Sequence, residues 1–332
     1  MRIRAFYSPY YNEVSVMARL PSTACPECGR NLESAEYTPN KAGRAHRASG
    51  YGSCLRRCEK CGIGLSNARS ADINKLTRIY RDPFRTLPDW LREDCYETLD
   101  KAINENHRHA KRTEFHSKRS EDHVTWTIFR YLQKEGSILK ALGGVGVEMG
   151  NGKDIPLALL LWGVPTPNKD ERGNLVRNQL VSILDRIGEN PKSRSEPDVV
   201  VDFGENGLVI IEVKYFSAND KKDGSFAGWD RYVRKTDAFL DTHGLRKSGL
   251  YELARNWRIA WELADRRPLK LINLGPPELF EEKELQRLTD FRGSLNRGGE
   301  RDFLTVPWPE FLASIPGRPD WLKRYEKDRG LS

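Results

Sequence analysis

Two short apolar runs, Val199-Val200-Val201 and Leu208-Val209-Ile210-Ile211, flank a turn bounded by Gly204 and Gly207, and this pair constrains the fold more than any other feature of the chain. Each run is of strand length, and the glycine-bounded gap between them is a hairpin signature. Side chains two apart in a strand share a face. Glu212 and Lys214 therefore project with Leu208 and Ile210, while Val209, Ile211, Val213 and Tyr215 line the other side. An acid and an ammonium on an otherwise apolar face are costly unless paired or bound to a metal. Asp198 begins the neighbouring antiparallel strand, where the hairpin brings it opposite the Glu212 end. Asp202 lies on the same face as Asp198 and competes with it for that position. A solvated Glu–Lys pair on an edge strand is the alternative, and the apolar character of both runs argues for a central, buried hairpin instead.

The flanking pattern extends this core. Ser120 suits a helix N-cap, and Glu121 and Asp122 suit a positive first turn. Glu121, Val124, Thr125, Ile128, Phe129 and Leu132 then fall on one helical face. A buried strand follows over 156–163, a short helix over 176–188, and the hairpin strands over 198–203 and 208–215. A helical region spans 226–265, with Leu250, Leu253, Ala254, Trp257, Trp261 and Ala264 as its apolar stripe. A strand over 269–274, another over 303–306 and a short helix over 309–314 complete the reading. The order helix, three strands, helix, strand predicts an α/β sandwich with a mixed central sheet.

Carboxylates on adjacent strands suit Mg²⁺, a hard cation that prefers oxygen, and a nearby lysine can stabilise developing charge. That combination fits phosphodiester hydrolysis. The sequence Pro197-Asp198, a gap, then Glu212-Val213-Lys214 resembles the signature of the PD-(D/E)XK nuclease superfamily, the restriction-endonuclease-like fold. The resemblance covers roughly residues 115–315 and implies an αβββαβ core. It implies that Asp198, Glu212 and the carbonyl of Val213 hold Mg²⁺ or Mn²⁺, and that Lys214 is catalytic. Glu121 stands where many members supply a further glutamate from the preceding helix; its alternative role is a first-turn carboxylate facing the helix dipole. By analogy with relatives the substrate is DNA more than RNA, with defence against foreign DNA or mobile-element biology as the setting. One such centre cuts one strand, so double-strand cleavage would require a dimer or a partner nuclease. The rival expectation is a non-catalytic nucleic-acid-binding or scaffold protein that keeps the fold.

Five of the six cysteines fall between positions 25 and 61. Cys25-Pro-Glu-Cys28-Gly and Cys58-Glu-Lys-Cys61-Gly are two knuckles separated by 29 residues. Two such turns can close a tetrahedral Cys₄ zinc site, with free thiols or a disulfide pair as the alternative, and the pattern resembles a zinc ribbon. Cys54 and His46 are competing ligands, and Cys95, in a helical stretch, reads as a small core residue. A closed Cys₄ site leaves no coordination position for catalysis. The ribbon, with Lys41, Arg44, Arg47, Arg56, Arg57 and Lys60, serves either to grip nucleic acid or to dock and stabilise.

The formal charge of +8 favours a polyanionic partner. Within the basic stretch 107–119, Arg108, Lys111, Arg112, Lys118 and Arg119 are candidate phosphate contacts, with a solvated face as the plain alternative. No run reaches membrane-spanning length and the N-terminus lacks a secretory leader, so a cytoplasmic protein without a membrane partner is expected. The Gly-rich segment 143–153 fails as a P-loop, with Val147 and Asp154 where glycine and a hydroxyl residue are required. The expected organisation is a zinc module over 1–70, a helical connector over 71–114 and the nuclease-like domain over 115–332.

Overall fold

A computed structural model describes residues 17–106, 109–149, 157–167, 169–192, 194–296 and 299–331. The chain divides into two compact units, one formed by 1–83 with 116–118 and the other by 84–115 with 119–332.

Among the described residues the smaller unit holds seven short strands: β1 (Ala18–Leu20), β2 (Thr23–Ala24), β3 (Asn31–Leu32), β4 (Ala35–Tyr37), β5 (Arg56–Cys58), β6 (Ile63–Leu65) and β7 (Arg78–Tyr80). β1 pairs with β4, β2 with β3, and β5-β6-β7 form an antiparallel sheet. The sequence reading of a helical connector over 71–114 meets helices at Asp89–Asn106 and His109–Glu114 and is corrected at 78–80. Residues Arg78–Tyr80 form the third strand, and Leu76 and Tyr80 are buried beside Ile63 and Leu65. Leu76, Ile79 and Tyr80 fit a helical stripe equally well. A module with so few aliphatic residues must recruit every available one to its core, and pairing with β6 settles the conformation. The boundary accordingly lies at Pro83 rather than residue 70, and the chain returns at Ser117 to bridge Ile79. Arg56 is 1% exposed and donates to the carbonyls of Pro21, Ser66, Ala68 and Ser70 at 2.7–3.2 Å. It is an internal tie between loops, which removes it from the ribbon residues offered for gripping nucleic acid and fits the stabilising alternative.

The larger unit begins with α1 (Asp89–Asn106) and α2 (His109–Glu114), then α3 (Glu121–Lys134) and α4 (Ile138–Gly144). Next come β8 (Ala158–Leu161), β9 (Val164–Pro165), α5 (Glu171–Ile187), β10 (Val199–Asp202) and β11 (Leu208–Val213). The predicted helix over 226–265 is three helices, α6 (Trp229–Val233), α7 (Thr242–Ser248) and α8 (Tyr251–Ala264). Gly249 ends α7 at φ +69°, a left-handed conformation that favours glycine. Then follow β12 (Leu269–Gly275), α9 (Glu282–Gly293), α10 (Gly299–Asp302), β13 (Phe303–Pro307), α11 (Trp308–Ala313) and α12 (Asp320–Arg329).

Six strands form one mixed sheet in the order β13-β12-β11-β10-β8-β9. β8, β10 and β11 pair antiparallel, whereas β12 and β13 join in parallel. The hairpin turn depends on Gly207 at φ +133°, where a Cβ would lie 2.6 Å from the Pro268 carbonyl oxygen. The sheet is covered on both sides. Val209, Ile211, Val213 and Tyr215 pack with α3, α4, α11 and α12, while Leu208 and Ile210 pack with α5 and α8. The twofold alternation read from the sequence thus separates the two cores. α3 carries more than a stripe: it is buried throughout from His123 to Leu132, capped by Ser120, whose hydroxyl accepts from the His123 amide at 3.1 Å. Buried strands with a polar exception at one end, Glu212 and Lys214, are what the fold brings to the site.

Candidate functional site

Glu212 and Lys214 stand at the C-terminal end of β11, the second strand from which the sheet turns parallel. The β10–β11 register pairs Val199 with Ile211, which sets Asp198, one residue earlier, opposite Glu212. Asp198 Oδ2 accepts from the Val213 amide at 2.9 Å, fixing the acid against the neighbouring strand. Glu121, the first residue of α3, reaches the same region. Its Oε2 accepts from the Tyr215 amide at 2.8 Å and the Ser217 hydroxyl at 2.7 Å. All four residues line one cavity of about 300 Å³, together with Lys111, Trp162, Ser195, Glu196, Glu252 and Arg255.

The predicted residues and several unforeseen ones hold each other in place. Lys214 Nζ donates to Glu212 Oε1 at 2.6 Å and to Glu252 Oε2 at 2.8 Å. Asn256 Nδ2 donates to Glu212 Oε2 at 2.5 Å, and the Arg255 guanidinium lies 3.6 Å from that oxygen. Glu252, Arg255 and Asn256 sit on one face of α8 at offsets 0, 3 and 4. That spacing was the available signal in the sequence, obscured by the apolar stripe beside it. Trp162 enters through a turn in which it adopts φ +53°, uncommon for a bulky residue. Its amide donates to the Asp198 carbonyl at 3.0 Å, and the Lys111 ammonium lies 4.7 Å from its ring centroid.

The electrostatics follow from burial. Five carboxylates (Glu121, Glu196, Asp198, Glu212 and Glu252) face three cations (Lys111, Lys214 and Arg255) around the cavity. Burial, then the charges of Glu212 and Glu121, push the Asp198 carboxyl far above the usual range, and Lys214 and Lys111 offset this only in part. Burial also raises Glu121, against the charge of Lys214 and the hydrogen bonds from Ser217 and Tyr215. For Lys214, burial works to neutralise the ammonium, but Glu212, Glu252, Glu121 and Asp198 outweigh it and hold the group above the ordinary lysine range. Burial likewise opposes ionisation of Glu252, and the Lys214 ammonium prevails, lowering its carboxyl. With burial resisting ionisation of Asp198 and Glu121, the cavity gathers more acids than bases around one space.

Among the described residues, the three carboxylates Glu121, Asp198 and Glu212 do not bring their oxygens within 4.8 Å of one another; the cysteine quartet does. Asp202, the alternative to Asp198, is excluded from this cavity. It is 1% exposed and bound by Arg172 at 2.6 Å, Arg267 at 2.8 Å and the Gly204 amide at 3.0 Å. Those partners satisfy both oxygens and leave it a structural role.

In the smaller unit, Cys25, Cys28, Cys58 and Cys61 place their sulfurs within 4.8 Å of one another. Tetrahedral Zn–S bonds of about 2.3 Å require sulfurs roughly 3.8 Å apart, and Cys28 and Cys58 stand 3.7 Å apart. Each knuckle is a tight turn: the Gly29 amide donates to the Cys25 carbonyl at 3.0 Å and the Gly62 amide to the Cys58 carbonyl at 2.9 Å. Both glycines take positive φ, +69° and +64°. The donor set fits a structural zinc ion. Neither competing ligand joins it: Cys54 is buried against Gly64 and donates to the Gly50 carbonyl, and His46 is exposed. Cys95 is a buried residue of α1.

The candidate phosphate contacts scatter. Arg108 lies outside the described residues. Lys111 lines the acid cavity and pairs with Asp122, and Arg112 is exposed and pairs with Asp100. Lys118 belongs to the smaller unit, its amide donating to the Arg78 carbonyl at 2.9 Å, and the exposed Arg119 guanidinium lies 5.0 Å from the Phe216 ring centroid. Among the described residues no helix is long and apolar enough to cross a membrane. Comparison with family models, with curated proteins and with solved structures returns no match for this chain.

Proposed function

We propose that the larger unit is a metal-dependent endonuclease of the restriction-endonuclease-like type, acting on DNA more readily than RNA, and that the smaller unit is a structural zinc ribbon. The observation that carries this reading is the convergence of Glu121, Asp198, Glu212 and Lys214, chosen from the sequence alone, on one polar cavity of about 300 Å³. The run α3, β8, β10, β11, α8, β12 follows the helix, three-strand, helix, strand order that the resemblance implies.

In this mechanism Asp198, Glu212 and the Val213 carbonyl would hold Mg²⁺ or Mn²⁺, and Glu121 would support the ion or a water beside it. The ion supplies positive charge to the scissile phosphate and to the attacking water. Lys214, held by Glu212 and Glu252, would place its ammonium to stabilise charge on the phosphate oxygens. Glu252 keeps the lysine oriented, and Asn256 keeps Glu212 oriented, as outer partners of metal ligands do.

The test is plasmid and oligonucleotide cleavage by purified full-length protein. Cutting with Mg²⁺ that stops with excess EDTA and in Lys214→Ala supports the proposal. Tight nucleic-acid binding without cutting at any Mg²⁺ or Mn²⁺ concentration would instead establish a non-catalytic binding protein.

A further inference from the structure

We propose that a second cleft, alongside the acid cavity, receives one unstacked nucleobase, so that the strand being cut is unpaired or distorted at the scissile phosphate. This rests on the nuclease reading and names its substrate class. The cleft has a volume of about 770 Å³, and Phe216, Pro276, Pro277, Leu279, Trp308 and Leu331 give it a largely apolar lining.

Two hydrogen bonds make its lining continuous with the catalytic residues. Ser217, in the cleft wall, donates to Glu121 Oε2 at 2.7 Å, and the Trp308 indole, at its base, donates to the Lys214 carbonyl at 2.8 Å. A group bound in the cleft therefore shares walls with the site where phosphate would react.

Phe216, two residues beyond Lys214, is 57% exposed. Its ring is nonetheless positioned: the Tyr215 ring packs on it at a centroid distance of 4.4 Å and an angle of 60°, and the Arg119 guanidinium lies 5.0 Å from its centroid. An aromatic face flanked by a guanidinium suits a nucleobase, whose π face stacks and whose neighbouring phosphates attract the cation. A base inside a duplex offers no free face, so this partner must be out of the stack. The cleft is also lined by the exposed carboxylates Glu278 and Glu281, and by Glu284, which pairs with Lys221 and Arg287. Glu278 and Glu281 repel a phosphate but accept hydrogen bonds from base amino groups, which assigns the cleft to a base and not to backbone.

The experiment uses full-length protein, Mg²⁺ and fluorescent oligonucleotides of one sequence, single-stranded and as continuous duplex, with an abasic position moved through the cut region. The single strand should be cut about tenfold faster or more, the scale of one base–aromatic stack. One abasic position beside the cut should lower kcat/KM by about tenfold. Phe216→Ala should lose a similar factor without adding to the abasic effect, and Phe216→Trp should restore it. A flat abasic scan, or equal cutting of duplex, overturns the base subsite while leaving the nuclease reading intact. Absence of Mg²⁺-dependent cutting of every substrate overturns both.

Discussion

The two charged clusters of this chain are built on opposite plans. The cysteine quartet comes from two tight turns and draws four identical ligands within 4.8 Å of one another. The acid cavity draws on a helix start, two strand ends and a second helix, and its carboxylates are partly neutralised by the chain's own Lys214, Arg255 and Lys111. The first arrangement is a set of four thiols that fits a structural zinc ion. The second is assembled by the hydrophobic core around it and stays folded with its own cations in place. The two clusters thus differ in plan: like ligands crowded together in one case, a surplus of acids held apart in the other.

The largest effect separating the two plans should come from zinc removal. Structural zinc contributes about 10–16 kcal/mol in isolated fingers. Chelation, or Cys58→Ser, should therefore abolish hydrogen-exchange protection at Ile63, Leu65 and Tyr80 while leaving β10 and β11 protected. Equal loss in both units would break the comparison. Next, Lys214→Ala should lower Mg²⁺-dependent cleavage by at least about 10²–10³-fold, the scale of losing one positioned charge-stabilising donor, with unchanged zinc content by elemental analysis. Asn256→Ala removes the amide that orients Glu212, and should weaken Mn²⁺ binding about 10–100-fold in calorimetry, as loss of an outer partner of a metal ligand does.

A smaller effect concerns stability without the divalent ion. The fold raises the Asp198 carboxyl above its unfolded value. The native state then keeps this proton to a higher pH than the unfolded chain does. Stability from this group is full below about pH 4, near the unfolded value, and is lost as pH rises through the folded one. Asp198→Asn keeps an oxygen for the Val213 amide and removes the charge. In zinc-loaded protein without added Mg²⁺ or Mn²⁺ it should raise Tm at neutral pH by a few degrees, about 2–4 °C for each kcal/mol. The gain over wild type should vanish near pH 4 in a pH series of thermal melts. A lowered Tm at neutral pH would show that Asp198 is a stabilising ion-pair member.

Legibility in the sequence followed the same division. The cysteine knuckles and the Glu212–Lys214 alternation depend on spacings of two or three residues, which the local backbone enforces. Glu121 was legible because Ser120 marks the start of α3. Glu252, Arg255 and Asn256 were not singled out, because their meaning arises only when α8 packs across the end of β11. The third strand of the smaller unit was misread because Leu76, Ile79 and Tyr80 satisfy a helical spacing, and only the needs of a small core decide between the two. Asp198 and Asp202 share a strand face, and the guanidiniums of Arg172 and Arg267, far apart in sequence, distinguish them.

The most direct test of the acid cavity is Mn²⁺ titration of the zinc-loaded full-length chain, followed by electron paramagnetic resonance. The account predicts saturable Mn²⁺ binding that is lost in both Asp198→Asn and Glu212→Gln and kept in Asp202→Asn. Binding that survives the first two substitutions, or its absence from the wild-type protein, would contradict it.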